Sequence, residues 1–437
     1  MSIDVAIAPT RTLNNQDYKT LSLSALGGAL EFYDFIIFVF FSITIGKLFF
    51  PPDMPGWLAQ VQTFGIFAAG YLIRPFGGIV MAHFGDLFGR KRMFTLSILL
   101  MAVPTLLIGC LPTYASIGIF APLLLLLMRL CQGLAVGGEV PGAWTFVAEH
   151  VPKNRVGFAC GILTAGLSLG ILLGSLISTF LNATVQPDDM LAWGWRIPFI
   201  LGGVFGLLSM YLRRWLKETP IFAEMQKRKQ SETNTRLPVV TVISTYLPQT
   251  IISMLLTWVL SAGIMVAILM APIYLQRQVN VPAVVALQAN TIAIIGLILG
   301  CIVNGTLADK FGVARVMIAS CLFGAVSIMV FYLSLENHLD LLFLTYGIAG
   351  YGVGAVGAFA FFMVRAYPAQ VRYSGVSFSF NMAYAIAGGL TPLLISLLTD
   401  FVSHLAPAYY VSALFVLGAV VGLHLYLVKD KYTANDI

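Results

Sequence analysis

The chain has 437 residues, of which 59% are hydrophobic and only 10% charged, with a formal net charge of +6. Soluble domains carry about one-quarter charged residues, so the composition excludes an ordinary soluble enzyme and indicates a chain that lives largely in lipid. The basic excess does not indicate a nucleic-acid partner, because Lys and Arg cluster between apolar segments instead of forming a stripe.

Twelve apolar segments reach about the 20 residues needed to span a bilayer. In chain order they cover 22–46, 58–82, 92–111, 117–148, 156–181, 195–216, 243–275, 283–308, 314–334, 340–365, 373–399 and 406–428. The longer ones are expected to tilt or protrude. The first, containing GALEFYDF, carries Glu31 and Asp34; the second carries Arg74 in LIRPFGG, and the fourth Arg129 and Glu139 in RLCQGLAVGGE. A charged linker, RRWLKETPIFAEMQKRKQSETNTRLP, divides the spans six and six. The expected organisation is therefore all-α. It has a short cytoplasmic N-terminus (1–21), a six-helix bundle (22–216), a cytoplasmic linker (217–242), a second six-helix bundle (243–428) and a tail (429–437).

Placing both termini in the cytoplasm puts 20 Lys and Arg on that side and only Lys47 and Arg277 outside, a strong positive-inside bias. The N-terminal residues show no h-region followed by a small-residue cleavage site, so the first span is expected to act as an uncleaved anchor. The five cysteines lie in or beside apolar spans without a CxxC pair, and the five histidines are scattered. Neither a disulfide framework nor a metal site is expected, and no cofactor. GxSxG and HExxH are absent, which argues against a membrane enzyme.

The halves repeat weakly. HFGDLFGRKR follows the second span and GTLADKFGVAR the eighth, with Asp86 and Asp309 in register, as are Gly89 and Gly312. EHVPKNRVG ends the fourth span and RAYPAQVRYSG the tenth, with Pro152 opposite Pro368. Duplicated halves around a central site are the plan of many secondary transporters.

GDLFGRKR resembles the signature loop of the major facilitator superfamily. GALEFYDF, LIRPFGG, RLCQGLAVGGE, WGWRIPF and YPAQVRYSG resemble its metabolite:proton symporter branch, which includes transporters for proline and betaine, α-ketoglutarate, citrate and shikimate. The resemblance spans nearly the whole chain. It implies proton-coupled uptake of a small polar metabolite across a bacterial inner membrane by alternating access, by a protein expected to be monomeric, with substrate, protons and lipids as its partners. It does not choose the metabolite. The second copy of the loop departs from the pattern, with Val313 and Ala314 where the first has Arg90 and Lys91.

Ionisable groups within spans are costly and therefore functional candidates. Glu31, Asp34, Arg74, Arg129 and Glu139 all fall in the N-terminal half, so coupling chemistry is expected there. Glu31 and Asp34 share a helix face at i, i+3. Either could carry the proton, or both could be held permanently by Arg74 or Arg129 as helix glue. Arg129 is the candidate for a substrate carboxylate, since guanidinium stays charged and holds carboxylates in a bidentate fork; a structural pair with an acid is the rival reading. Gln132 lies on the same face as Arg129 and could orient it. Tyr33, Asn381 and Tyr384 are the remaining substrate-binding candidates, with packing as the blander reading of the aromatics. Arg74 and Glu139 are expected to act as charge-pairing groups. Asp86, Arg90, Glu149, Arg155, Asp309, Arg365 and Arg372 are expected to form the cytoplasmic gate. Glu149 and Arg365 occupy pseudo-equivalent positions with opposite charge and are expected to attract across the halves. The competing functions are a proton-independent uniporter or exchanger and, less naturally, a membrane sensor.

Overall fold

The structure is a computed structural model that describes residues 12–78, 90–212 and 238–434. Side chains of Glu31, 90–98, Leu212, Pro238 and Asp430 lie outside the described set. The described chain is helical throughout. Twelve principal helices follow in order: α1 (Asn15–Phe40), α2 (Gly56–Leu72), α3 (Arg90–Cys110), α4 (Phe120–His150), α5 (Lys153–Thr184), α6 (Arg196–Leu212), α7 (Leu247–Gln278), α8 (Ala283–Phe311), α9 (Val313–Asn337), α10 (Leu339–Arg365), α11 (Arg372–Phe401) and α12 (Ala406–Val428). Among the described residues nine of these are long and apolar enough to cross a membrane alone. A tenth crossing is Pro187–Gly194 joined to α6 with a 41° bend. α2 and α3 adjoin 79–89, which lie outside the described residues, as does most of the charged linker.

Local chemistry sets several ends. Asn14 and Asp17 form a reciprocal capping box that starts α1, each side chain accepting the other's backbone N–H at 2.9 Å. The α8–α9 turn closes on Gly312 at φ 86°, a backbone conformation glycine adopts without penalty. Four of the described spans are interrupted near their middles: α4 at Gly137–Gly138, α10 at Gly354–Ala355, and α7 and α11 by wider turns over Gly263–Met270 and Tyr384–Gly388. Such interruptions re-aim side chains and free backbone groups, and in membrane proteins they cluster where a site is lined.

The helices form two six-helix bundles, α1–α6 and α7–α12. Within the first bundle α1 packs on α5 and α6, and α3 on α6; within the second α8 packs on α10 and α9 on α12. The bundles meet chiefly through α5 against α8 and α2 against α11. Gly157 and Gly305 face one another at the α5–α8 crossing so closely that a Cβ on either would overlap the other's carbonyl oxygen. Small residues permit this approach where lipid supplies no hydrophobic force between helices.

Candidate functional site

Arg74 and Arg129 are the centre of the candidate site. Arg74 stands just beyond α2, where the backbone is again helical over 74–78, and is 1% exposed; Arg129, in the first half of α4, is 0% exposed. The guanidinium carbon of Arg74 lies 3.9 Å from the Tyr71 ring centre, 4.6 Å from Phe35 and 5.3 Å from Tyr384. That of Arg129 lies 4.2 Å from Phe35, 4.5 Å from Phe38 and 5.0 Å from Phe67. The two cations thus share Phe35. Tyr71 and Tyr384 stack at 5.4 Å, so α2 of one bundle and α11 of the other close this side of the box together.

Among the described residues the box does not pair every N–H group it holds. Arg129 Nη1 donates to Gln132 Oε1 (2.8 Å) and to the Phe35 carbonyl (3.3 Å), while its Nε and Nη2 are buried without a hydrogen-bond partner. Nε and Nη2 of Arg74 are in the same condition. Among the described residues no carboxylate forms an ion pair with either guanidinium; Glu139 is near enough for its charge to act on Arg74 without touching it. Aromatic faces contribute on the order of 2 kcal/mol each to a desolvated cation, so the three around each guanidinium offset much of the several kcal/mol that burying the ion costs but leave its unpartnered N–H groups unsatisfied. Among the described residues, the ion pairs of Arg74 or Arg129 with Asp34 or Glu139 that the rival reading offered are not formed, and the side chain of Glu31 lies outside them. The arrangement is chemically suited to receive an anion.

A hydrogen-bonded chain leads away from Arg129 into the first bundle. Gln132 Nε2 donates to Thr105 Oγ1 (2.7 Å), which donates to the Met101 carbonyl (2.8 Å). Asp34, 1% exposed, lies at this end of the chain: a Cβ on Gly202 would meet both Asp34 Oδ1 and Thr105 Cγ2 at 2.7 Å. Its carboxylate sits between α1, α3 and α6. Tyr33 is placed differently from the expectation. Its hydroxyl donates to the Pro198 carbonyl (2.9 Å) and its ring packs edge-on against Phe205, so it faces α6, away from the two arginines. Asn381 Nδ2 is spent on the Gly137 carbonyl at the α4 break and on Ser377, and its Oδ1 is buried without a partner. Tyr384 is in the box, through its ring. Glu31 keeps its place on α1, but its side chain lies outside the described residues.

The two bundles are latched at the end that the charge count assigns to the cytoplasm. Arg372, 0% exposed at the start of α11, donates from Nε to the Val364 carbonyl (2.8 Å) and from Nη1 to Glu149 (3.1 Å) at the end of α4. Asp309, near the end of α8, accepts the backbone N–H of Gly157 (2.7 Å) and Phe158 (2.8 Å) at the start of α5. Anions at helix N-termini are favoured by the unpaired N–H groups and the helix dipole. Arg155 and Arg365 surround Asp309 with positive charge. This corrects the expected cross-bundle pair: Glu149 is bound by Arg372, and Arg365 lies over the Phe361 ring at 5.3 Å, with its charge acting on Asp309. Asp86 lies outside the described residues, and only the backbone of Arg90 is described. Tyr373 and Ser377 add bonds to the carbonyls of Gly138 (3.1 Å) and Gly137 (3.4 Å). At the opposite end Trp57 of α2 packs edge-on against Phe401 of α11 at 5.5 Å, and Asp400 is held by Gln278 (3.0 Å) and Arg277 (3.7 Å). The bundles therefore touch at both ends and in the middle.

Sequence reasoning missed Tyr71, Phe35 as a shared face, and Thr105. Tyr71 carried a usable signal, three residues before Arg74 and hence on the same helix face. Thr105 carried almost none, being one hydroxyl in an oily span whose partner is on another helix.

The profile of the Major Facilitator Superfamily matches residues 24–392, with a second match over 253–436. The chain is 32% identical over 436 residues to the proline/betaine transporter of Salmonella typhimurium, covering 95% of this chain and 84% of that one. It is also 32% identical over 431 residues to the glycine betaine/proline/ectoine/pipecolic acid transporter of Dickeya dadantii, with the same coverage. Its fold is similar to that of a proton:xylose symporter bound to 6-bromo-6-deoxy-D-glucose (TM-score 0.76, 16% identity, 94% of this chain and 95% of that one). A partially occluded inward-open form of the E. coli xylose transporter is also similar (TM-score 0.73, 17% identity, 95% and 98%).

Proposed function

Since this chain belongs to the major facilitator superfamily, and so is a multi-pass membrane transporter and not an enzyme, we propose that it carries out proton-coupled symport of a small polar metabolite bearing a carboxylate. Two buried guanidiniums with unpartnered N–H groups, at the seam between the bundles, are the observation that supports the reading. In this reading Arg129 holds the carboxylate in its fork and Gln132 fixes the fork's orientation, while Arg74, Tyr71 and Tyr384 close the site from both bundles. Substrate charge then offsets what the protein leaves uncompensated, so the loaded site is favoured in the closed state.

Asp34 and Glu31 are the proton carriers in this reading. A carboxylic acid in a span is cheaper protonated, and Asp34 lies beside Thr105, one end of the chain that terminates at Arg129. Proton loss at Asp34 changes the charge felt along that chain. Glu149–Arg372 and Asp309 with the α5 N-terminus latch the cytoplasmic side, and their release opens the site inward. The described positive-inside bias supports cytoplasmic termini and an inner-membrane location.

The test uses the full chain in proteoliposomes with an imposed pH gradient. Asp34→Asn and Glu31→Gln are expected to abolish gradient-driven accumulation, singly or together, while substrate exchange at equal pH survives. Unchanged accumulation in the double variant would show that neither acid carries the proton, and wild-type protein that exchanges substrate but does not accumulate it under the gradient would show a uniporter or exchanger instead.

A further inference from the structure

We propose that the site is built for a small dicarboxylate with no cationic group, and not for a zwitterion such as an amino acid or betaine. The inference rests on the reading of Arg74 and Arg129 as the substrate-facing charges and deepens it.

The first argument is charge. Arg74 and Arg129 bring two permanent positive charges into one box, and each keeps buried N–H groups without a partner. Among the described residues Glu139 is the carboxylate whose charge reaches Arg74, and no ion pair forms between the two. A zwitterion bound by its carboxylate to one guanidinium cancels one charge and adds a new one. Its ammonium group would face the second guanidinium at short range in a low-dielectric site, where like charges repel strongly. A dicarboxylate cancels both.

The second argument is where a cation could go. Aromatic faces are the usual neutral hosts for an ammonium or quaternary ammonium group. Here Phe35, Phe38, Phe67, Tyr71 and Tyr384 each already have a guanidinium within 5.3 Å of the ring centre. The protein's own cations fill the cage. From the second bundle Asn381 Oδ1 is a buried acceptor without a partner, suited to a hydroxyl group but carrying no charge to set against a further cation.

The third argument is spacing. Both guanidinium carbons lie over the same Phe35 ring, at 4.6 and 4.2 Å from its centre, so one short chain can place a carboxylate on each. Each contact is then a charge-assisted fork.

The experiment measures binding to the purified full-length protein in detergent by calorimetry, with thermal shift as a check. The probes are the linear dicarboxylates from malonate to adipate, butyrate as the monocarboxylate, and proline and glycine betaine as zwitterions. At least one dicarboxylate is expected to bind roughly 30-fold or more tightly than butyrate, the low end for a desolvated charge contact. Arg74→Gln is expected to remove that advantage, leaving dicarboxylate and butyrate alike, and Arg74→Lys to restore part of it, which guards against simple misfolding. Equal binding of dicarboxylates and butyrate by the wild type overturns the inference. Tighter binding of proline or betaine than of every dicarboxylate overturns it too, but leaves the carboxylate-transporter reading standing if Arg129→Gln abolishes that binding. If no carboxylate of any kind binds protein that unfolds cooperatively, the reading of the two arginines fails, and the inference with it.

Discussion

Replacing Glu149 by Gln should open the latch between the bundles. Arg372 is 0% exposed, and its Nη1 rests on Glu149 at 3.1 Å while Nε is held by the Val364 carbonyl at 2.8 Å. Removing one partner of a buried ion pair costs about 3–5 kcal/mol because the other charge stays buried. Arg372 keeps its carbonyl bond, so the low end applies, about 3 kcal/mol. This cost falls only on the state in which the bundles meet at this end. At 1.36 kcal/mol per factor of ten it moves the closed-to-open ratio more than a hundredfold toward open. Spin labels on cysteines introduced at Asn154 and Gln370, both exposed beside the latch, report the change as a longer distance between α4–α5 and α10–α11 in proteoliposomes. The swap Glu149→Arg with Arg372→Glu should recover the short distance. Arg365→Glu should also lengthen it, but Glu149→Arg should not rescue that variant, because Arg365 acts on Asp309. If Glu149→Gln leaves the distance distribution unchanged, or if Glu149→Arg rescues Arg365→Glu, the assignment of partners at the latch is wrong.

Asp309→Asn should destabilise the same closed state by about 1 kcal/mol, the usual worth of a side-chain cap, since an amide oxygen replaces a carboxylate that accepts two backbone N–H groups; a shift of the same label pair to longer distance checks it. Gly305→Ala should lower the melting temperature, at a cost of roughly 1–3 kcal/mol for overpacking, because the obstacle is the Gly157 carbonyl and not a movable side chain. Gln132→Leu should weaken substrate binding about tenfold, as loss of one charge-assisted bond predicts, and Thr105→Val should weaken it less, both read by calorimetry. An effect of Thr105→Val larger than that of Gln132→Leu would contradict the order of the chain from Arg129 to Thr105.

The membrane character, the twelve spans, the duplication and the one-sided set of intramembrane charges were legible in the amino-acid sequence. They follow from local rules: a span needs a run of apolar residues, and an ion inside it is rare enough to stand out. The sequence also located the loops from which the latch is built, because the glycine, aspartate and proline positions recur at matched offsets in both halves. What the tertiary structure decided is who meets whom. Glu149 and Arg365 looked complementary by repeat symmetry, yet the bundles cross so that Glu149 reaches Arg372, and the charge of Arg365 acts on Asp309. In the sequence Tyr33 is a candidate for the substrate site and Phe35, two residues on, is not. Two residues turn a helix by about 200°, so Tyr33 lies with Asp34 toward α6, while Phe35 carries two guanidiniums. That no described carboxylate forms a direct ion pair with Arg74 or Arg129 belongs to the same class of fact. Charge content is a property of the chain, but whether two charges touch depends on helix rotation and crossing, which are set by packing between segments far apart in sequence.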